Sequence, residues 1–246
     1  MEQVYIPHLS VDCVLFGFDE KQLKVLVIER DKVAEEDEHI HSGILKLPGR
    51  LIFEEEYLED AAASIIQDLV GLEPMPLQQF KVFGNPNRIK SPNDLLWLQT
   101  QTQMTIKRVV TISFYTLIKI NETLNQVLDL HRAKWIPIKE AVGLAFDHDE
   151  IVHEAYHHLK KELTTTPLEF SLLPEYFTLN NLQSLYEVIL DQHFDNRNFR
   201  KKILRIPYLV ETDNTESNVN HRPAKLYRFD KDIYDKNQRE MSLFFL

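Results

Sequence analysis

The pattern of apolar residues changes at Thr164-Thr165-Thr166-Pro167, and that change constrains the fold more than any single motif. Ahead of it, extended runs alternate with helical ones. VDCVLFGF and LKVLVIER, separated by Asp19-Glu20-Lys21-Gln22, read as a β-hairpin. Further strand signals are Gln79–Phe83, RVVTISFYTLIKI and AKWIPI. Leu58, Ala62, Ile65, Ile66 and Leu69 recur at helical spacing, with Gly71 as a C-terminal stop. A second helix is expected from about Ile151 to Leu163, ended by the Thr-Thr-Thr-Pro run. These signals predict an α+β unit over 1–165, a mixed sheet with helices on both faces.

After Pro167 the order is different. FTLNNLQSLYEVIL starts behind Thr178, a good N-cap, and carries Leu182, Leu185, Val188 and Ile189 on one face. DNRNFRKKILRI follows, capped by Asp195, with Phe199 and Ile203 facing inward. YLVET and AKLYRFD then make two strands around the polar loop Asp213–Pro223. Helix, turn, basic helix and ribbon are the order of a winged helix-turn-helix over 166–246. The charge is distributed to match. The chain carries a net −10, yet from Arg197 to Arg228 eight Lys/Arg face three acids, so that window is +5 and the remainder −15. Arg197, Asn196, Asn198 and Arg200 stand where base-reading side chains stand on a groove-entering helix, and Lys201, Lys202 and Arg205 suit phosphates. His221 and Arg222 in the loop, with Lys225 and Arg228 on the returning strand, extend the basic surface. A solvated amphipathic helix in an accessory domain is the plainer alternative for the same residues.

A single cysteine, Cys13, excludes an intramolecular disulfide framework and reads as a buried small hydrophobe. No apolar run is long enough to span a bilayer, and MEQVYIPHLSVD lacks the basic-then-apolar pattern of a signal peptide. A cytoplasmic protein without membrane partners is expected.

The stretch LPGRLIFEEEYLEDAAASIIQDLVGLE (47–73) resembles the Nudix box, G-x5-E-x7-R-E-U-x-E-E-x-G-U with U apolar. Anchored on Gly71-Leu72, the motif puts Glu56 at the first Glu and Arg50 at the opening Gly. Ser64 stands at the Arg, Ile65 at the next Glu, and Asp68 and Leu69 at the closing pair. In the hydrolases the first and last Glu of R-E-U-x-E-E hold divalent cations. Here those positions are Ile65 and Leu69, and an apolar side chain offers a hard cation no oxygen. Glu54, Glu55, Glu56, Glu59 and Asp60 read as a solvated acidic turn at a helix start, with weak metal binding as the alternative. No bound metal, no cofactor and no catalytic residue are expected.

A degenerate Nudix domain followed by a winged helix resembles the Nudix-related transcriptional regulators, the NrtR-like family. Phe83–Arg88 (FGNPNR), Leu144–Val152 (LAFDHDEIV) and Leu173–Leu190 (LPEYFTLNNLQSLYEVIL) add to that resemblance, which spans nearly the whole chain. Ser91–Gln103 departs from it, as relatives often carry a shorter Asp/Arg-rich turn in a loop expected near the pocket. The resemblance implies a dimeric repressor of a sugar-catabolic or NAD-metabolism operon. Its effector would be a sugar or an ADP-ribose-like molecule, and its partner operator DNA. Candidate effector-binding residues are Asp12, Arg30, Arg50, Glu56, Arg88, Arg108 and Asp147; Asp12 and Asp147 have plainer readings as a strand-edge hydrogen-bond acceptor and a helix cap, and surface ion pairing is the alternative for Arg30 and Arg108. His153, His157 and His158 include an i,i+4 pair, the spacing of a helical metal site, but an exposed helix face is the plainer reading of them. A Nudix hydrolase with non-standard carboxylates and a pure protein-interaction module are the rival functions.

Overall fold

β1 (Tyr5–Phe18) is the strand around which the first unit is assembled. The computed structural model describes residues 4–30, 43–71, 76–89, 91–163, 167–217 and 222–243. The chain divides into two compact units, Met1–Asp19 with Leu23–Thr165, and Glu20–Gln22 with Thr166–Leu246. No described helix is long and apolar enough to cross a membrane.

In the first unit, β1 is buried without interruption from Ser10 to Phe18, as a central strand covered on both faces must be. One edge pairs in parallel with β6 (Val110–Lys119), from Leu9↔Val110 to Phe18↔Lys119. The other edge is shared. β4 (Gly49–Phe53) runs antiparallel beside its first half, and β2 (Leu23–Glu29) beside its end. β3 (Leu45–Lys46) and β7 (Ala133–Pro137) pair with β2, and β5 (Gln78–Phe83) closes the far edge on β6.

The period-2 alternation sorts side chains to two faces. Val11, Cys13 and Leu15 of β1, with Ile112, Phe114 and Ile118 of β6, pack against α1 (Leu58–Val70) and α3 (Glu122–Leu130) through Ile65, Ile66, Leu69, Leu124 and Leu128. α1 ends at Gly71 in the left-handed conformation, φ 62°, which glycine adopts without a Cβ penalty. The opposite residues, Ser10, Asp12, Phe16, Thr111, Ser113 and Tyr115, face α4 (His148–Glu162). There His158 stacks near Tyr115 and Phe80, and Ile151, Val152, Ala155 and Leu159 are buried. α4 starts three residues earlier than its apolar spacing suggests. Ser91–Gln103, expected as a loop, instead contains α2 (Pro92–Thr102), whose N-cap Ser91 accepts from Asn93 N–H.

The second unit begins with the 3-10 turn Leu168–Leu172. α5 (Leu179–Leu190) opens on a reciprocal cap. Thr178 Oγ1 accepts from the Asn181 N–H while Asn181 Oδ1 accepts from the Thr178 N–H. α6 (Asn196–Ile203) follows, then the ribbon of β8 (Leu209–Thr215) and β9 (Lys225–Phe229), then α7 (Lys231–Leu243). Phe177 exchanges both backbone hydrogen bonds with Tyr227, adding a third short chain to the ribbon ahead of α5. Phe170, Tyr208, Phe229 and Tyr234 form the aromatic cluster behind it.

The packing of α1 makes a stability prediction. Leu69→Ala is expected to cost about 2–5 kcal/mol as a buried cavity forms, and Leu69→Glu more, because the carboxylate has no partner there. Urea unfolding followed by circular dichroism measures it; an unchanged midpoint for Leu69→Glu would mean that this face of α1 is not packed.

Candidate functional site

The α4 side of the first unit's sheet carries a buried polar knot. Arg88 follows β5 and forks onto Asp147, Nε to Oδ2 at 2.9 Å and Nη2 to Oδ1 at 2.6 Å. The same Nη2 lies 3.6 Å from Asp12 Oδ2. Thr111 Oγ1 donates to that carboxylate at 2.7 Å. His148 Nδ1 accepts the Leu47 N–H at 2.8 Å, which leaves Nε2 facing Asp12 Oδ1 at 3.6 Å. Asp12, Arg88, Asp147 and His148 are all at most 6% exposed, so each charge is held by its partners rather than by water.

Burial by itself would raise the Asp12 carboxyl, but His148, Arg88, Thr111 and Lys46 together hold it below its usual range. Burial pushes His148 down, outweighing the pull of Asp12. Burial would also lower Arg88, and Asp147 and Asp12 reverse that. Asp147 occupies the N-cap position of α4 but makes no capping hydrogen bond, because Arg88 takes its carboxylate. Its reading as a cap is corrected on that ground. The Asp12 strand-edge reading is likewise replaced by membership of this knot.

Above the knot lies a cavity of about 50 Å³, lined among others by Asp12, Lys46, Arg50, Arg88, Trp97 and His148. By the roughly 10–15 Å³ that each water needs, it is a small recess, and Leu51, Ile89, Leu98, Val109 and Phe146 complete its wall. Gly49 gives it room: a Cβ there would sit 2.1 Å from Asp12 Oδ1 and 2.6 Å from the Val11 carbonyl. Lys46 Nζ donates to the Leu47 and Gly49 carbonyls, both at 3.2 Å. Trp97 of α2 meets two cations, with Lys46 Nζ 5.6 Å and the Arg30 guanidinium 5.5 Å from its ring. Arg30 pairs with Asp94 at 2.6 Å, and Asp94 also accepts the Phe146 N–H. The other terminal nitrogen of Arg30 is buried with no hydrogen-bond partner.

Of the seven candidates for effector binding, Asp12, Arg50 and Arg88 line the recess, and Asp147 supports Arg88 from behind. Glu56 is reached only through Arg50, which holds it by two hydrogen bonds of 2.8 and 2.5 Å and also donates to Ser64 Oγ at 2.8 Å. Ser64 stands at the box's Arg, so a guanidinium arrives here from position 50 instead. This pairing lowers Glu56 and raises Arg50. Arg30 joins through Trp97. Arg108 lies apart, exposed and donating to the Gly84 carbonyl. Lys46, His148, Trp97 and Asp94 were missed. Lys46 and Trp97 lie outside any recognised motif, whereas His148 stands in LAFDHDEIV and could have been taken with Asp147.

Ile65 and Leu69 are buried in the core beside Cys13, whose thiol is pushed up by that burial. Where the hydrolases hold metal, this chain has packing. Among the described residues, no three His, Cys, Asp or Glu side chains are placed to share a metal ion.

In the second unit the sorting of α6 is clean. Phe199 and Ile203 are buried, while Asn196, Arg197, Asn198, Arg200, Lys201, Lys202 and Arg205 are all exposed. Asp195 caps the helix by accepting the Asn198 N–H. The turn before it is stapled by Glu187, which accepts from Phe194 N–H, and by Gln183, which donates to the Phe194 carbonyl. Arg200 is steadied by a 2.9 Å hydrogen bond to Asn180. In the ribbon, Lys225 is paired with Glu211 and Arg228 with Asp230, so the +5 of the sequence window overstates what the ribbon offers. Arg222 is exposed, and His221 lies outside the described residues.

Residues 169–229 match the model of the NrtR DNA-binding winged helix domain. The ADPR responsive transcriptional repressor NtrR of Acinetobacter baylyi is 28% identical over 235 residues, 94% of this chain and 85% of that protein. The structure of Shewanella oneidensis NrtR complexed with a 27mer DNA superposes with a TM-score of 0.72 at 26% identity, covering 91% of this chain and 94% of that one. A MutT/nudix family protein from Enterococcus faecalis shares the fold at 22% identity, with a TM-score of 0.60 over 92% of this chain and 88% of its own. With a Nudix-like mixed sheet in its first unit and a match to the NrtR winged helix in its second, the chain is similar to the NrtR proteins along most of its length.

Proposed function

We propose that this chain is a ligand-responsive transcriptional repressor that binds operator DNA through α6 and the ribbon and an ADP-ribose-like effector through the recess of its first unit. The observation that carries this reading is the sorting of α6. Two apolar anchors are buried and six polar or basic side chains are presented to solvent, inside a unit that matches a DNA-binding winged helix. A major groove admits one such helix, with Lys and Arg free for the backbone. The Acinetobacter relative, named for its response to ADPR, supports the choice of effector. So does a recess that combines an indole, Lys46 and Arg50, since nucleotides offer both a π-face and phosphates. The regulated genes on this reading are those of a sugar-catabolic or NAD-metabolism operon. A dimer, with paired α6 helices about 34–36 Å apart, would suit a two-fold operator.

On the same reading the protein is not a hydrolase, because Ile65 and Leu69 remove two oxygen ligands from the box. Incubation with ADP-ribose and Mg²⁺ or Mn²⁺ is expected to give no product; turnover on the order of one per second or faster, ordinary for an enzyme, would overturn it.

For DNA, Lys201→Ala or Lys202→Ala should weaken binding to every sequence alike and lower the log–log salt slope by about one each. Asn196→Ala or Arg197→Ala should instead relax preference at particular base pairs by about 1–3 kcal/mol. Fluorescence anisotropy with upstream DNA over a salt series reads both; unchanged binding on replacing all four would place the DNA surface elsewhere.

For the effector, calorimetric titration with ADP-ribose should show binding that changes when operator is present, by a coupling of about 1–3 kcal/mol. Gly49→Ala, which forces a Cβ against Asp12, and Trp97→Ala should each weaken it. Pentoses titrated in parallel separate the sugar class. Equal affinity with and without operator would sink the sensor role even if the ligand binds.

A further inference from the structure

α4 carries two histidines whose roles neither the polar knot nor the basic helix absorbs. His153 and His157 lie one turn apart, both exposed to solvent. Their rings are nearly perpendicular, 81° between planes with centroids 4.4 Å apart, and the two Nε2 atoms stand 3.0 Å from each other. The i,i+4 spacing alone would leave the rings free to point apart. Here the same nitrogen of each ring is brought within hydrogen-bond distance of the other.

We propose that His153 and His157 form a two-imidazole surface site for a divalent transition metal with tetragonal preference, of the Cu²⁺ or Ni²⁺ class. Two nitrogens bound at about 2.0–2.1 Å and a right angle lie about 2.9 Å apart, whereas a tetrahedral angle spreads them to about 3.3–3.4 Å. The observed 3.0 Å matches the right angle, which is the geometry of tetragonal nitrogen sites. Glu154 follows His153 directly in the chain. Lys81 holds that carboxylate at 2.9 Å, and no third side chain joins the pair among the described residues. The site is therefore bidentate, with water completing the coordination. A metal there would bridge successive turns of α4 and stabilise the helix, as any ligand of the folded state does.

The test uses the full-length, untagged protein stripped with chelator. Cu²⁺ and Ni²⁺ are titrated by calorimetry, the Cu²⁺ form is examined by electron paramagnetic resonance, and thermal unfolding is followed with and without metal. His153→Ala, His157→Ala and, as a control on another exposed histidine, His193→Ala are compared. The expected result is one equivalent of Cu²⁺, splitting from two imidazole nitrogens and a raised melting temperature. Loss of either ligand should weaken binding by at least roughly tenfold, with no such loss in the control. Binding that survives both ligand variants, or none above the control level, would overturn the site and leave the pair as a hydrogen-bonded couple.

Discussion

A guanidinium cannot be buried without partners, and the first unit is organised around one that has them. Arg88 is held by Asp147 from the start of α4 and stands near Asp12 from the middle of β1. These three residues come from parts of the chain 59 and more positions apart, so the knot exists only when sheet and helix are both in place. Losing one partner of such a set typically costs about 3–5 kcal/mol, since the rest stays buried and uncompensated. His148 and Gly49 follow from the same requirement. The imidazole bonds the Leu47 N–H beside Asp12, and the glycine keeps a side chain out of the carboxylate's space.

The hydrophobic side of the sheet shows the complementary choice. Hydrolases built on this motif spend one face of the box helix on metal ligands. Here Ile65 and Leu69 extend the core under β1, while the acids of the turn stay at the surface. Arg50 reaches Glu56 and Ser64 across the loop-to-helix corner. The corner is thus held by an organic cation that belongs to the chain, where the motif's usual acids would have needed one from solution.

Much of this was legible from the residues. Alternation placed the hairpin and β6, helical spacing placed α1, and Asp195 with Phe199 and Ile203 fixed which face of α6 is dry. What escaped was in part short of apolar periodicity and in part long-range. α2 bunches Leu95, Leu96, Trp97 and Leu98 into one contiguous run, so no apolar stripe of helical period marks it, although Ser91 as N-cap and Pro92 at the first turn were signals that could have been weighed. The Arg30–Asp94 pair joins residues 64 positions apart, and nothing local couples them. α3 carries Leu124, Val127 and Leu128 at helical spacing behind Asn121 as N-cap, signals that could also have been weighed. Lys225 and Arg228 read as basic because composition counts charges, while the ribbon pairs them with acids.

The parallel pairing of β1 with β6 has a consequence for how the chain is made. Its register joins Ser10 to Thr111 and Val14 to Tyr115, so the central strand leaves the ribosome about a hundred residues before its neighbour. At roughly 5–20 residues per second, that is a wait of about 5–20 seconds. β2 arrives within that time and covers the end of β1 from Phe16 onward. Val11 to Leu15 has β4 along one edge of its start, but its other edge stays open until β6 emerges. During synthesis this apolar run is therefore the segment most exposed to mispairing with other chains, and a natural target for a chaperone that recognises extended hydrophobic peptide.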